Sequence, residues 1–346
     1  MENEELTNNT NPEEINQPES QEQNLSFENR IDLSELEQTV EKLKTELAKI
    51  IVGQQDFIEL LIVSLLSDGH VLIEGVPGIA KTITAKLFAR TLETEFNRIQ
   101  FTPDLMPSDV LGTSILNMKT SDFEFKKGPI FSNMVLIDEI NRAPAKTQAA
   151  LFEVMEERQV TIDGIRYPME PPFMVLATQN PVEQEGTYAL PEAQLDRFLF
   201  KIKVDYPSLE EEINILKTHH ERKTKKPLEI ISSVMTPEKL VEFKEKTREI
   251  IIEEKILSYI AEIVTKTRTH PHLYLGGSPR ASLAVMNASK AFAAINGRDF
   301  VTPEDIKKSL FPVLRHRIIL SPEREMEGMT TENVIEMILQ SVEIPR

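Results

Sequence analysis

Residues 74–82 read EGVPGIAKT. The apolar run VLIE leads into this stretch and a helical pattern, KTITAKLFARTLE, leaves it. Gly75, Val76, Pro77, Gly78, Ile79 and Ala80 therefore form a strand-to-helix turn whose amides, with the helix N-terminus, can hold phosphate. Lys81 suits the β and γ phosphates, Thr82 can offer its hydroxyl to Mg2+, and Ile83 completes the nucleotide-binding run. The general phosphate-loop pattern has glycine immediately before the lysine, where this chain has Ala80. A helix beginning near Ile79 predicts a negative φ at Ala80, which alanine accommodates.

A second constellation lies some fifty residues on. Met134 to Glu139 reads MVLIDE, an apolar strand ending in two carboxylates. Parallel strands present their C-terminal ends to a ligand crevice. Asp138 is placed to hold Mg2+ through its water shell, and Glu139 to orient or polarise an attacking water. Another strand, FMVLAT, ends in Gln179-Asn180-Pro181. Asn180 is either a hydrogen-bond donor to the γ-phosphate or its water, or an ordinary polar loop residue. His219-His220 and His270-Pro271-His272 lack a carboxylate or cysteine to complete a metal site, so Mg2+ is the metal expected.

These residues need a framework that brings three strand ends together. Short β-type runs occur at VLIE (71–74), RIQF (98–101), VLID (135–138), FMVLAT (173–178) and FLFKIKV, with helical stretches between the first four. That alternation predicts an α/β domain with a parallel sheet covered on both faces. Two segments, TSILNMKTSDFEFKKGPIF and RQVTIDGIRYPMEPP, read as inserted hairpins, the second with an Asp-Gly turn. Whether Phe123 and Phe125 pack within the first hairpin or face a substrate is open. Ahead of the sheet, Leu33, Leu36, Val40, Leu43 and Leu47 recur at helical spacing and predict a helix packed on the domain, a short coiled coil being the alternative. After Tyr206-Pro207 come five helical stretches with Ser/Thr-Pro or Ser/Thr-x-x-Glu starts. The expected organisation is a disordered acidic tail over 1–31, an α/β domain over 32–206 and a smaller all-helical domain over 207–346.

Composition sets the outer limits. Lys and Arg number 39 against 56 Asp and Glu, a formal charge of −17, which opposes non-specific attraction to nucleic acid. No cysteine is present, so disulfides and thiolate metal sites are ruled out and a reducing cytoplasm suits the chain. Neither a signal peptide nor an apolar run long enough to insert in a membrane is found.

Taken together, GVPGIAKT, LIDEINRAPAKTQAALFEVME, ATQNPVEQEGTYALPEAQLDRF and GGSPRASL resemble the MoxR family of AAA+ ATPases, from about Ile51 to the C-terminus. Alanine before the lysine is common in that family. The resemblance implies strand order 5-1-4-3-2, a helical lid, ATP and Mg2+ as ligands, and a ring-forming homo-oligomer, a hexamer by expectation. It makes Asn180 the first sensor, Arg197 an arginine finger acting on the neighbouring subunit, and Arg280 the second sensor. Arg197 could instead simply pair with Asp196 or another acid, and Arg280 could be structural. Val52 and Gly53 fall where relatives contact adenine. The implied role is chaperone-like remodelling of protein complexes, beside partners with von Willebrand factor A domains. A nucleic-acid motor is the alternative, opposed by hairpins whose Lys119, Lys126, Lys127, Arg158 and Arg166 are balanced by Asp122, Glu124, Asp163 and Glu170. A nucleotide-dependent scaffold without efficient hydrolysis is a third, opposed by the intact Lys81, Asp138, Glu139 and Asn180 set.

Overall fold

Short β-rich runs that are buried at almost every position decide the architecture of the chain. In the computed structural model, which describes residues 31–119, 121–181 and 186–345, five such runs form one sheet. They are β1 (Val71–Glu74), β2 (Phe96–Gln100), β3 (Met134–Asp138), β4 (Met174–Gln179) and β5 (Phe200–Lys203). All neighbours are parallel, and the order is 2-3-4-1-5, which is the expected 5-1-4-3-2 read from the other edge. Side chains alternate across the sheet. Val71, Ile73, Leu136 and Leu176 enter one core, while Leu72, Val135, Ile137, Val175 and Ala177 enter the other.

The first core also takes in α1 (Ser34–Ala48), α2 (Gln55–Leu66) and α3 (Lys81–Thr91). Leu36, Val40, Leu43 and Leu47 are all buried, so α1 packs on the body and the coiled-coil alternative fails. The second core is closed by α4 (Ala145–Glu157). Two antiparallel hairpins interrupt the α/β pattern, Gly112–Asn117 with Asp122–Lys127 and Gln159–Ile162 with Ile165–Pro168. The second turns at Asp163 and Gly164, both with positive φ (51° and 78°), as an Asp-Gly hairpin turn requires. The open question over the two phenylalanines divides. Phe125 packs on Tyr167 with ring centroids 4.4 Å apart, whereas Phe123 is 74% exposed.

The C-terminal lid comprises α5 (Leu209–Arg222), α6 (Pro237–Glu249), α7 (Glu254–Thr269), α8 (Pro279–Ile295), α9 (Pro303–Leu314) and α10 (Thr331–Ser341), with shorter turns between them. A two-stranded ribbon, Leu273–Leu275 with Ile319–Leu320, joins the helices. The starts follow the capping chemistry in the sequence. Ser208 Oγ accepts the Glu211 N–H while Glu211 accepts the Ser208 N–H, and Thr236 Oγ1 accepts the Lys239 N–H.

Lid and sheet are held together by polar ties as well as the shared first core. Asp68 accepts from Lys244 of α6 at 2.6 Å and from Arg158 at 3.1 Å. The attraction of those two cations lowers its carboxyl below the usual range, although burial pushes it the other way more than any single cation does. Arg317 donates to Asp196 Oδ1 at 2.7 Å and to the carbonyls of Leu199 and Phe198. Residues 1–30, most of the expected acidic tail, lie outside the described residues.

Candidate functional site

The C-terminal ends of β1, β3 and β4 meet around a cavity of about 380 Å3 lined by Pro77, Gly78, Ala80 to Ile83, Asp138, Glu139, Thr178 and Asn180. The loop between β1 and α3 forms its floor. Gly78 and Ala80 both adopt positive φ, 89° and 64°, so the expectation of a negative φ at Ala80 is wrong. The physical reason is the helix start. α3 begins at Lys81 rather than Ile79, which leaves Ala80 as the N-cap residue, outside the helical φ range. Alternating backbone conformations at such a turn aim successive amides toward one point. The glycine of the general pattern marks a left-handed position that alanine fills here at a steric cost. At Gly78 the requirement is also one of φ, because an added Cβ would meet nothing within 4 Å.

The other loop residues support this cradle from behind. Lys81 Nζ donates to the carbonyls of Gly75 and Val76. Burial pushes the Lys81 ammonium below its usual pKa, opposed by the charges of Asp138 and Glu139. Gly75 is tightly enclosed. A Cβ there would come within 2.4 Å of Ile79 and 2.7 Å of the Val204 carbonyl. Val52 and Gly53 do not line the phosphate cavity. They border a separate recess of about 480 Å3 against α1. Gln54, with φ 53°, ties that segment to the loop through Nε2 to the Ile79 carbonyl at 3.0 Å.

The carboxylates sit in a network that the sequence did not disclose. Thr178 Oγ1 donates to Asp138 Oδ1 at 2.5 Å and accepts the Glu139 N–H at 3.0 Å. It thus fixes both acids from the neighbouring strand. Arg98 on β2 donates to Asp138 Oδ2 through Nε and Nη2 at 3.1 and 2.7 Å. Thr82 Oγ1 reaches the same oxygen at 3.5 Å. Gln100 accepts from Arg98 and donates to Glu139 Oε2 at 2.8 Å, and Arg142 Nε lies 3.1 Å from that oxygen. The parallel register of β2 and β3, with Gln100 opposite Asp138, brings these groups together. A hydroxyl and a carboxylate converging on one point, where a guanidinium is already drawn in, are the oxygen donors that Mg2+ takes. Thr82 and Asp138 therefore fit the expected ion. Asn180 is 8% exposed and faces the same cavity.

Arg197 and Arg280 stand elsewhere. β1 and β5 run parallel from Val71 opposite Phe200 to Glu74 opposite Lys203. Arg197 precedes β5, and so lies at the N-terminal ends of the strands, whereas the phosphate loop follows their C-terminal ends. The alternative for Arg197, an ion pair with Asp196 or another acid, is met by Glu156, which also accepts from Arg280 at 2.6 Å, while Asp196 is taken by Arg317. Both arginines thus converge on the last turn of α4, away from their own phosphate loop. Arg197 Nε is buried without a hydrogen-bond partner.

Among known proteins, residues 70–200 match the family model described as "ATPase family associated with various cellular activities (AAA)", and residues 265–338 match the AAA lid domain. Chaperone MoxR1 of Mycobacterium tuberculosis is 44% identical over 317 residues, covering 89% of this chain and 83% of that protein. The uncharacterized protein YeaC of Bacillus subtilis is 46% identical over 297 residues, 86% and 92% of the two chains. A candidate ATPase from Cytophaga hutchinsonii, solved by crystallography, superposes with a TM-score of 0.84 at 42% identity, covering 91% of this chain and 97% of that one. With the 5-1-4-3-2 sheet, the loop at Lys81 and the carboxylates of β3 in place, the chain belongs to the MoxR family of AAA+ ATPases.

Proposed function

We propose that this protein hydrolyses ATP in a ring of identical subunits, a hexamer by family analogy, and uses the energy to remodel or activate a protein complex. The observation that carries the reading is the convergence of Lys81, Thr82, Asp138, Glu139, Thr178 and Asn180 on one cavity at the ends of three adjacent strands. Phosphoryl transfer asks a protein mainly for positioning and charge stabilisation. The amides of Gly78, Ile79 and Ala80 hold the phosphates, and Lys81 swings from the Gly75 and Val76 carbonyls to the β and γ oxygens. Mg2+, held by Thr82 and by Asp138 through water, supplies neutralising charge at those oxygens when bound. Glu139 orients the attacking water and accepts its proton. Its backbone N–H is anchored on Thr178, so only the side chain has to leave Gln100 and Arg142. Asn180 hydrogen-bonds the γ-phosphate or the water, and Val52 and Gly53 border the base.

Arg197 and Arg280 act on the neighbouring subunit's phosphate, since their own lies at the far ends of the strands. A finger arginine is worth about 10³–10⁵ in rate, so hydrolysis depends on assembly. The boundary near Tyr206-Pro207 is where we divide the nucleotide domain from the lid. A chaperone name on the M. tuberculosis relative supports a protein substrate. A von Willebrand factor A domain partner is proposed on family grounds alone. No described helix is long and apolar enough to cross a membrane, and we place the protein in the cytoplasm.

The first test is Glu139→Gln. This variant keeps ATP affinity and loses turnover by at least about 100-fold, the contribution of a positioned general base. Measured hydrolysis equal to that of the unmodified protein would remove Glu139 from the reaction.

A further inference from the structure

Three adjacent strands carry a row of polar side chains across one face of the sheet. Phe96, Leu136 and Leu176 turn toward the first core, and residues two further along a strand share that face. Arg98 and Gln100 on β2, Asp138 on β3 and Thr178 on β4 therefore line up beside the start of α3, where Lys81 and Thr82 stand.

Each oxygen of Asp138 has its own partners in this row. Oδ1 accepts from Thr178. Oδ2 accepts from Nε and Nη2 of Arg98, and the same oxygen lies 3.5 Å from Thr82 Oγ1. The carboxylate oxygen turned toward the expected metal ligand Thr82 is thus also the one that a guanidinium holds.

The charges make this a competition. Lys81 is drawn to the Gly75 and Val76 carbonyls, and Arg142 lies against Glu139. Arg98 is left as the cation that pairs with Asp138 among the described residues. The Asp138 side chain is 14% exposed and that of Arg98 is 50% exposed, so the acid is fixed while its cation has an open path to water. Two cations at one carboxylate oxygen repel, and more strongly where water is scarce. Gln100 Oε1 accepts from Arg98 Nη2 at 2.9 Å, a neutral partner that keeps the guanidinium close after it leaves the carboxylate.

We propose that Arg98 is a resident counter-ion of the Mg2+ site, which holds Asp138 Oδ2 until metal binds and then yields that oxygen. The inference rests on the nucleotide and Mg2+ part of the ATPase reading. Arg98 has two opposite effects. It neutralises Asp138 toward a nucleotide that arrives without metal, so the phosphates do not meet an uncompensated carboxylate. It also makes Mg2+ binding cost the loss of an ion pair, which lowers metal affinity. Arg98 thereby sets how far metal and nucleotide depend on each other, which is a coupling free energy between two ligands.

The test titrates the full-length protein with a fluorescent, non-hydrolysable ATP analogue, once in chelator and once across a Mg2+ series with protein in saturating excess. No step depends on turnover. Arg98→Gln removes the charge and keeps a polar stem. This variant binds the metal-free analogue at least about fivefold more weakly, yet reaches its half-maximal metal response at a Mg2+ concentration at least about fivefold lower than the unmodified protein. Arg98→Lys keeps the charge and stays within about twofold on both measures. If Arg98 merely anchors the edge strand, Arg98→Gln weakens both affinities together, and that result overturns the inference. So does a Mg2+ midpoint that is unchanged or raised. Should Arg98→Gln lose thermal stability, Arg98→Met repeats the titration with a stem that packs on β2, under the same two outcomes. An unmodified protein whose nucleotide binding ignores Mg2+ overturns the inference together with the Thr82 and Asp138 metal site. Opposed shifts in a protein that hydrolyses no ATP would support the inference while the ATPase reading fails.

Discussion

At the scale of the residue, Ala80 shows where sequence reading reaches its limit. That Lys81, Thr82, Asp138 and Glu139 meet at one cavity was legible, because phosphate-loop and strand-end carboxylate patterns place such side chains at fixed offsets from strands. The φ of Ala80 was not, because it depends on where the helix starts, and that is set by how the loop amides converge. Removing the Cβ relieves a left-handed alanine worth roughly 1–2 kcal/mol. Ala80→Gly therefore raises unfolding free energy by about 0.5–1 kcal/mol with nucleotide affinity retained, since added freedom in the unfolded chain offsets part of the gain. Ala80→Val, β-branched at φ 64°, weakens nucleotide binding at least about tenfold. Denaturant titration and analogue binding read the two. Thr178 was also missed, although it stands inside the quoted ATQN. Nothing local announces that its hydroxyl bridges Asp138 and the Glu139 amide. Thr178→Val keeps the shape and deletes both bonds, so kcat falls about 10–100-fold with little change in ATP affinity, at about 1.5–3 kcal/mol for a bond to a charged group. Unchanged steady-state kcat would show that the carboxylates hold their positions without it.

At the scale of the element, strands and caps were readable and their partners were not. Apolar β-type runs and Ser/Thr caps placed β1, β3, β4 and most lid helices within a residue or two. The β2 segment was read as 98–101 and is Phe96–Gln100. That strand carries Arg98 and Gln100, whose roles arise only from its register against β3. His70, at the entry to β1, is a further tie of this kind. Its Nε2 meets the Met155 carbonyl of α4 at 3.1 Å and its Nδ1 accepts the Val175 N–H of β4 at 2.9 Å. The ring is thus neutral with its proton on Nε2. Burial, with the nearby Arg158 charge, lowers its pKa from 6.5 to about 4. Since the folded pKa lies below the unfolded one, His70 stabilises the fold fully above about pH 6.5, and that stability is lost as pH falls toward 4. The loss amounts to roughly 3 kcal/mol at 1.36 kcal/mol per unit. Urea unfolding at pH 7.5 and 4.5 should show a steeper decline in the unmodified protein than in His70→Gln, which cannot take up the proton. Parallel declines would assign the acid sensitivity to other groups.

At the scale of the whole molecule, Arg197 and Arg280 lie at the opposite end of the strands from the phosphate loop, an arrangement we propose as two halves of a site shared between subunits. Asp196-Arg197 reads locally as an ion pair, yet Arg317, more than a hundred residues away, takes Asp196 and leaves Arg197 to Glu156 beside Arg280. The sheet separates these arginines from the phosphate loop of their own subunit, and no local pattern reveals that separation. Mixing two inactive variants tests the trans-acting site most directly. Glu139→Gln and Arg197→Ala each lack one half, and alone each hydrolyses ATP at least about 100-fold more slowly than the unmodified protein. Co-assembled in equal amounts, they create interfaces that join an intact Glu139 from one subunit to an intact Arg197 from the next. The predicted result is recovery of about a quarter of the unmodified rate, the share of such pairs in a randomly mixed head-to-tail ring. Verified mixed assemblies that stay as inactive as either variant alone would contradict a catalytic site shared between subunits.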